Sequence, residues 1–489
     1  MAVLTIRGHG FLYETENVAR LFLDPLKVSE DLPEEGDTVL AEAAPEASGT
    51  RIRVSARIGG KTAEEEKRVD AAPEDKETER QIAETLFRVL SGLTGKRPPW
   101  GIVTGIRPSK YVLGLYAQGW SKDEIRERFM DRNLVLPEKA DLAIEVADHS
   151  LKAASLSDRR SFSLYVSIPF CPTRCSYCSF VSKTVGRDRG MLEEYLQKLI
   201  LELRDVKRRT DLLGLRPETV YIGGGTPTTL SAQQLALLTS ELNDLFGARN
   251  TREFSVEAGR PDTITEEKLR VLKEAGVSRI SINPQTGSDE VLRLIGRNHT
   301  AAEIEEAFRI ARAIGFDNIN ADLIAGLTGD TPEGFRRTLE WIGGIDPENV
   351  TVHALTLKRA SRMRDDGEKG VSGAEQMVRD AGMFLKQKGY LPYYMYKQKS
   401  TLEGLENTGY AKPGFDCLYN IFIMEEMHTI IACGAGGVSK LVDQDSGLIN
   451  RIFNYKYPAE YISGFETVLA RKDDIERFYG SWDHWNRTE

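Results

Sequence analysis

From Ser161 onward, short apolar runs alternate with amphipathic stretches along the chain. Six runs have the length and composition of buried strands: Leu164–Phe170, Val220–Gly223, Phe254–Glu257, Arg279–Ile282, Ile319–Ile324 and Val350–Leu355. The stretches between them have helical apolar spacing: Met191–Val206, Ala232–Leu245, Glu266–Glu274, Ala302–Ile314 and Gly334–Trp341. This alternation predicts an α/β fold of parallel strands joined by right-handed crossovers, in an open or partial barrel. The chemistry of such a fold is expected at the C-terminal ends of its strands.

The region before these repeats has a different pattern. Apolar and polar residues alternate as in strands over Val3–Arg7 and Arg51–Ile58. Glu79–Leu90 has the apolar spacing of a helix. The highly charged segment 61–80 predicts a solvated loop that runs into an exposed helix start, and the segment 110–151 predicts further helices. Together these patterns predict an N-terminal α+β accessory region over residues 1–160.

The chain after the last repeat mixes both types of element. Ala374–Lys388 and Ala459–Arg471 have helical spacing, whereas Tyr393–Lys399 has the pattern of an aromatic-rich strand. We therefore predict a partial (β/α)6 barrel over residues 161–358. A C-terminal mixed α/β domain over residues 359–489 is expected to close its cavity.

Composition and charge exclude several classes of protein. The chain has 489 residues, 65 Lys+Arg and 74 Asp+Glu, and a formal charge of −9. This acidity disfavours a broad nucleic-acid-binding surface, because such binding depends on clustered positive charge. The N-terminus lacks a charged segment followed by a long apolar one, and Glu425, Glu426 and His428 interrupt the apolar stretch 419–438. We expect a cytoplasmic protein with no membrane span and no nucleic-acid partner.

Three of the five cysteines lie within eight residues, as Cys171, Cys175 and Cys178. Five cysteines are too few for a disulfide scaffold in a chain of this length. The Cys-x3-Cys-x2-Cys spacing places three thiolates on one loop, which suits an iron–sulfur cluster with one iron left open. A zinc site would need a distant fourth ligand, and an unmetallated coincidence is the remaining alternative. Cys417 and Cys433 are isolated, which favours a structural role.

The cysteines lie in a longer motif, Tyr165-Val-Ser-Ile-Pro-Phe-Cys171-Pro-Thr-Arg-Cys175-Ser-Tyr-Cys178-Ser-Phe180. This motif resembles the radical S-adenosylmethionine (radical SAM) superfamily, in its oxygen-independent coproporphyrinogen III oxidase (HemN-like) branch. The N-terminal extension is similar to that of the HemZ subgroup. The resemblance implies a 4Fe–4S cluster on Cys171, Cys175 and Cys178, whose open iron binds S-adenosylmethionine and cleaves it to a 5′-deoxyadenosyl radical.

Further candidate residues follow the other predicted strands. Gly223-Gly-Gly-Thr-Pro227 allows close approach of a ligand to the backbone, although an ordinary turn gives the same pattern. Glu257 suits a ribose diol, with a solvated loop acid as the alternative. Arg297 has the planar fork that suits a carboxylate, and Asp322, in an apolar strand, needs a ligand or an arginine partner. The resemblance implies ten contacts to S-adenosylmethionine: Tyr165, Tyr177, Gly224, Gly225, Thr226, Glu257, Gln285, Arg297, Asp322 and Ala354. No catalytic residue is assigned.

The motif departs from the family at several positions. Active oxidases of this branch have histidine where Ser167 stands and a fourth cysteine where Phe180 stands. The related haem chaperones have a His-Asn-x-x-Tyr-Trp motif, where this chain has Tyr419 in place of the histidine. His299 and His353 are candidates for substrate contact or for structural hydrogen bonds. Four cations are candidates for pairing with substrate carboxylates or are solvated: Lys358, Arg359, Lys397 and Lys399.

The resemblance implies a reaction, anaerobic oxidative decarboxylation of coproporphyrinogen III to protoporphyrinogen IX in haem biosynthesis. The expected partners are a tetrapyrrole substrate and an external one-electron donor of the flavodoxin or ferredoxin type. One alternative is a tetrapyrrole- or haem-binding trafficking protein that retains the cluster. Another is a different radical SAM reaction on a tetrapyrrole. The acidic balance disfavours a tRNA-modifying enzyme.

Overall fold

The computed structural model describes residues 1–105, 107–179, 183–184, 189–356, 370–398 and 401–480. The chain divides into two compact units. The N-terminal unit contains Met1–Ile144 and two short later segments, and the barrel unit contains Glu145–Tyr396 and most of the chain after it. The predicted domain borders after residues 160 and 358 stay predictions.

A five-stranded sheet forms the centre of the N-terminal unit, with strand order β2-β1-β3-β4-β5. Its strands are β1 Ala2–Arg7, β2 Leu26–Val28, β3 Thr38–Pro45, β4 Thr50–Ile58 and β5 Lys61–Val69. The helices in this part of the chain are α1 Leu12–Arg20, α2 Lys76–Thr94, α3 Pro108–Ala117, α4 Lys122–Asp131 and α5 Pro137–Ala154. Apolar side chains of α1 and α2 pack against one face of the sheet and form a core with Leu4, Val39 and Val54.

The strand β5 corrects the prediction of a loop over 61–80. Its nine residues pair antiparallel with β4, in a register that runs from Ile58↔Lys61 to Thr50↔Val69. Cross-strand ion pairs hold the charged side chains, such as Arg53 Nε to Glu64 Oε1 at 2.8 Å. The high charge of residues 61–80 suggested a loop. The Gly59-Gly60 pair between β4 and β5 is, however, a sequence signal for a hairpin turn.

The barrel unit contains the predicted alternation of strands and helices. Its strands are β6 Ser161–Ile168, β7 Phe170–Cys171, β8 Lys183–Thr184, β9 Arg216–Gly224, β10 Glu253–Gly259, β11 Arg279–Ile282, β12 Ile319–Ala325, β13 Asn349–Ala354, β14 Leu391–Lys397, β15 Glu406–Ala411, β16 Thr429–Cys433, β17 Val438–Val442 and β18 Ile449–Phe453. Its helices are α6 Arg189–Leu212, α7 Ala232–Phe246, α8 Glu266–Glu274, α9 Asp289–Leu294, α10 Ala301–Ile314, α11 Pro332–Ile345, α12 Ala374–Gln387, α13 Leu418–Glu425, α14 Pro458–Ser463, α15 Phe465–Arg471 and α16 Asp473–Gly480.

Six parallel strands, β6, β9, β10, β11, β12 and β13, lie side by side in chain order within a larger sheet. Helices α6 to α11 connect them, so the predicted α/β class and partial (β/α)6 barrel are confirmed. On one side β16 continues the sheet parallel to β6, and β17 and β18 follow antiparallel. On the other side β15 pairs antiparallel with β13, and β14 forms the edge. The strands after residue 390 therefore extend the barrel sheet.

Local signals account for many of the helix bounds. Capping boxes start α7 at Ser231 and α10 at Thr300, and glycines in the left-handed conformation end both helices. The predicted helix over Ala459–Arg471 is wrong in one respect, because it is broken at Gly464 into α14 and α15. A Cβ atom at Gly464 would lie 2.4 Å from the Tyr455 ring, so close packing requires glycine there.

Candidate functional site

The cysteine loop begins where β6 ends, at the carboxyl edge of the parallel strands. Cys171 ends β7, Cys175 is buried and Cys178 is half-buried, and none of the three forms a disulfide. The Ser176 amide donates to the Ile295 carbonyl at 3.1 Å, which ties the loop to the end of α9. In the part of the chain that the structure describes, no three His, Cys, Asp or Glu side chains meet at single-ion distance. A 4Fe–4S cube takes its thiolates on separate irons, so its ligands do not need to meet at one point.

The glycine loop after β9 lies directly against the cysteine loop. The Gly225 amide donates to the Ile168 carbonyl at 2.9 Å, and the Thr226 amide donates to the Phe170 carbonyl at 2.7 Å. The Thr226 hydroxyl donates to Cys171 Sγ at 3.5 Å. A Cβ atom at Gly225 would lie 2.5 Å from the Phe170 carbonyl oxygen. Glycine is therefore required at 225 because the backbone of the cysteine loop lies so close. The sequence had suggested a different reason, the close approach of a ligand.

Glu257 lies near the carboxyl end of β10 and accepts a hydrogen bond from Tyr221 Oη at 2.6 Å. Burial raises the pKa of the Glu257 carboxyl to about 7, and the charge of Asp322 adds to the rise, although Tyr221 and His353 oppose it. The ring of Tyr221 stacks on Tyr419, with centroids 4.3 Å apart. These contacts are inconsistent with Glu257 as a solvated loop acid.

Sequence reasoning missed Tyr221, which lies in β9 in register with Tyr165 of β6. The rings of Tyr165, Tyr221 and Tyr419 form a stack, with Tyr165 centroids 6.2 Å from Tyr221 and 6.1 Å from Tyr419. Burial raises the pKa of the Tyr165 phenol above its ordinary range. The signal that could have found Tyr221 is its position two residues before the glycine loop, which puts it on the same strand face as Gly223.

The sequence predicted a ligand or an arginine partner for Asp322 in β12, and the protein partners that it has are not arginines. Asn320 Nδ2 donates to its Oδ1 at 2.8 Å, and His353 Nε2 lies 3.8 Å from its Oδ2. Burial alone would raise the pKa of Asp322, but the contacts with His353, Asn320 and Thr351 bring it below its ordinary value. At the end of β13, the Ala354 amide donates to Asn407 Oδ1 at 3.1 Å.

Gln285 and Arg297 lie after β11 and α9. Gln285 has a positive φ of 72°, and its backbone bridges to β12 through the Asp322 carbonyl and the Ile324 amide. Such a conformation costs about 1–3 kcal/mol in a residue other than glycine, so packing around Gln285 holds it. Arg297 is buried and donates to the Asn283 carbonyl at 2.6 Å and to Tyr177 Oη at 3.1 Å. Arg297 therefore lies in the interior of the protein and not on its surface.

Several polar atoms beside the cysteine loop are buried without a hydrogen-bond partner among the described residues: Asn283 Oδ1, Arg297 Nε and both ring nitrogens of His299. Burial alone would lower the pKa of the Arg297 guanidinium, but Tyr177 and Cys175 raise it above its ordinary value. A cation with an unpartnered N–H beside the Cys175 thiol fits an anionic ligand next to a thiolate-bound cluster. The residues present therefore fit the implied cofactors.

A second glycine loop, Gly434–Gly437, follows β16 and contacts β6. Ser167 Oγ donates to the Ala435 carbonyl at 2.7 Å. The Gly434 amide donates to Glu202 Oε2 at 2.7 Å, and Glu202 Oε1 pairs with Lys472 Nζ at 3.0 Å. Both charged side chains of this pair are fully buried. This ion pair links α6, the loop and the start of α16.

The other residues singled out in the sequence are the four cations proposed for substrate carboxylates, Phe180 and the two isolated cysteines. Lys397 Nζ donates to the Val103 carbonyl at 2.8 Å. The other three cations proposed for substrate carboxylates, Lys358, Arg359 and Lys399, lie outside the described residues, as does Phe180. Cys417 and Cys433 are buried in the core.

Comparison with known proteins identifies the family. The family model of the radical SAM superfamily matches residues 165–342. The oxygen-independent coproporphyrinogen-III oxidase-like protein HemZ of Bacillus subtilis (strain 168) is 38% identical over 470 residues, which cover 94% of each chain. The chain belongs to the radical SAM superfamily, in its HemN-like branch. This superfamily uses a 4Fe–4S cluster and S-adenosylmethionine, so the predicted family and cofactors are confirmed.

Other relatives of this radical SAM chain have two different names. The haem chaperone HemW of Bacillus subtilis (strain 168) is 32% identical over 280 residues, covering 56% of this chain and 70% of HemW. The solved structure of coproporphyrinogen III oxidase (HemN) from Escherichia coli has a TM-score of 0.52 and 24% identity, covering 66% of this chain and 72% of HemN. That likeness shows the fold. Among the described residues, no helix is long and apolar enough to cross a membrane.

Proposed function

We propose that this protein catalyses the oxidative decarboxylation of coproporphyrinogen III to protoporphyrinogen IX. The observation that carries the proposal is the set of polar side chains at the strand ends beside the cysteine loop. Glu257, Asp322 and Arg297 supply two carboxylates and one guanidinium there, each held by hydrogen bonds. The relative HemZ, named as oxidase-like, matches 94% of the chain. An intact cofactor site is what an enzyme of this superfamily needs.

The cofactor contacts divide by chemistry. Cys171, Cys175 and Cys178 would hold the cluster, and the unpartnered Nε of Arg297 would bind the carboxylate of S-adenosylmethionine. Glu257 would accept hydrogen bonds from the ribose diol. The other predicted contacts, Tyr165, Tyr177, Gly224, Gly225, Thr226, Gln285, Asp322 and Ala354, are proposed to line the same cofactor. When bound, the cluster and S-adenosylmethionine would supply a radical that abstracts hydrogen.

The proposed reaction converts propionate side chains of the substrate to vinyl groups. Each propionate that becomes a vinyl group would lose one hydrogen atom to the 5′-deoxyadenosyl radical, carbon dioxide from its carboxylate, and one electron to an external one-electron acceptor. An external donor of the flavodoxin or ferredoxin type is proposed to supply the electron that starts each turnover. The contribution of this chain is orientation and exclusion of water, since Tyr165, Tyr221 and Tyr419 form a continuous aromatic stack beside Glu257.

A haem-trafficking role is the second candidate, because HemW matches 56% of the chain. Tyr419 occupies the position where the resemblance places the chaperone's histidine. Tyr419 is 5% exposed and its ring stacks against those of Tyr221 and Tyr165, and burial raises the pKa of its phenol well above the ordinary value. A phenol in this state is a poor haem ligand, which favours the enzyme.

Anaerobic turnover distinguishes the candidates. The reconstituted protein is incubated with S-adenosylmethionine, a reductant and coproporphyrinogen III, and the products are separated and weighed by mass spectrometry. Vinyl products with 5′-deoxyadenosine support the oxidase, and Cys175→Ala should abolish both. Cofactor cleavage with a different tetrapyrrole product would indicate another radical reaction. Stoichiometric haem binding without any conversion would favour the trafficking role and contradict our proposal.

A further inference from the structure

Arg260 lies immediately after β10 and reaches the cysteine loop, although nothing in the sequence motifs points to it. Its Nη1 donates to Thr173 Oγ1 at 2.7 Å and to the Thr173 carbonyl at 3.5 Å. Thr173 stands midway between Cys171 and Cys175. The guanidinium therefore holds the segment that separates two of the three proposed cluster ligands.

The other edge of the Arg260 guanidinium forms a two-point ion pair with Asp262. Arg260 Nε donates to Asp262 Oδ1 at 2.9 Å, and Nη2 donates to Asp262 Oδ2 at 2.7 Å. Only 4% of the Arg260 side chain is exposed. A buried guanidinium is costly unless it is paired and hydrogen-bonded, and this two-pronged pairing also fixes the orientation of its plane.

The backbone of β10 directs Arg260 toward the loop. The pairing of β10 with β11 shifts register between Glu257 and Gly259, and Gly259 has a positive φ of 67°. An irregularity of this kind bends the strand and changes the direction of the side chains after it. The same short segment thus supplies Glu257 to the cofactor site and Arg260 to the cysteine loop.

We propose that Arg260 is a positioning residue for the metal centre, which fixes Thr173 so that Cys171 and Cys175 keep the spacing that the cluster needs. The inference rests on the assignment of these cysteines as ligands. Because Asp262 neutralises the charge of Arg260, the effect is geometric and requires the planar fork. A lysine keeps the charge but cannot bind Asp262 at two points and Thr173 at a third.

The test compares Arg260→Lys, Thr173→Val and the double variant with the wild type. Each holoprotein is mixed anaerobically with an iron chelator, and the loss of cluster absorbance gives the rate of cluster release. Electron paramagnetic resonance of the reduced cluster, with and without S-adenosylmethionine, reports its environment. The matched control is Arg252→Lys, because Arg252 pairs with Glu218 at 2.6 Å just before the other end of β10 and is half exposed.

We expect Arg260→Lys and Thr173→Val each to release the cluster roughly tenfold faster, since each loses a hydrogen bond between a charged group and its partner. The double variant should be no faster than Arg260→Lys alone, because both changes remove one shared contact. The resonance of the reduced cluster should also change in both variants. Arg252→Lys should match the wild type in rate and spectrum.

Several results would overturn the inference. Wild-type release rates in both single variants would do so, and so would additive effects in the double variant. If Arg260→Lys fails to fold, Thr173→Val decides alone, because it retains the Arg260–Asp262 pair and must still release the cluster faster. Coproporphyrinogen is absent from these measurements, so a failure here is independent of the proposed reaction. A wild type that binds no cluster would overturn the ligand assignment and the inference together.

Discussion

The Glu257 carboxyl should make the stability of the protein fall as pH rises. Burial raises its pKa in the folded protein to about 7, from 4.5 for an unperturbed group. Between these two values the folded chain holds a proton that the unfolded chain has released. Folding is therefore favoured below this window, and the advantage is lost as pH rises through it.

Glu257→Gln removes this cost while keeping an oxygen that can accept the hydrogen bond from Tyr221. The difference between 4.5 and about 7 corresponds to roughly 3 kcal/mol at pH 8.5. Glu257 is partly exposed, and solvent screening reduces the figure to about 2 kcal/mol. The variant should therefore unfold with a free energy about 2 kcal/mol higher than the wild type at pH 8.5. At pH 5 the gain should be less than half as large.

The assay is denaturant unfolding of the metal-free protein at both pH values, followed by circular dichroism. Glu266→Gln is the matched control, because the Glu266 side chain is 59% exposed and its loss should change stability by less than about 0.5 kcal/mol. The same Glu257→Gln variant should bind S-adenosylmethionine at least about tenfold more weakly, since a charged acceptor is lost. A gain in stability that is absent, or equal at both pH values, would refute the assignment of a desolvated carboxyl.

Three further changes test the site and its support. Cys175→Ala should abolish iron binding, measured as iron content after reconstitution. Gly225→Ala should destabilise the barrel unit by about 1–3 kcal/mol and lower cluster loading, because its Cβ atom would meet the Phe170 carbonyl at 2.5 Å. Lys472→Met should cost about 3–5 kcal/mol in denaturant unfolding, because it leaves the Glu202 carboxylate buried and unpaired.

Each of these has a result that would contradict it. Retained iron in Cys175→Ala would remove that thiol from the ligand set. Wild-type stability and loading in Gly225→Ala would mean that the two loops are not in contact. For Lys472→Met the control is Lys386→Met, whose partner Glu145 is 40% exposed and which should cost at most about 1 kcal/mol. Equal costs for the two lysine variants would contradict the buried pair.

Local periodicity was enough to predict much of the barrel. The predicted bounds of β11 and α8 agree with the structure residue for residue, because an apolar run and an amphipathic turn are properties of neighbouring residues. The same reasoning failed for β5, whose charged residues are stabilised by pairing with β4 and not by burial. For residues 459–471 the spacing predicted one helix, whereas the structure has two that are separated at Gly464, where a Cβ atom would meet the Tyr455 ring.

The sequence by itself determined the order of the six parallel strands, the cysteine spacing and the residue types at the strand ends. The tertiary structure decided which of those residues meet. Asp322 is paired with Asn320 and His353 instead of an arginine. Arg260 reaches Thr173 across 87 residues of chain. Such contacts depend on strand register and on the irregularity in β10, which arise when distant segments pack together, so no local pattern of residues can specify them.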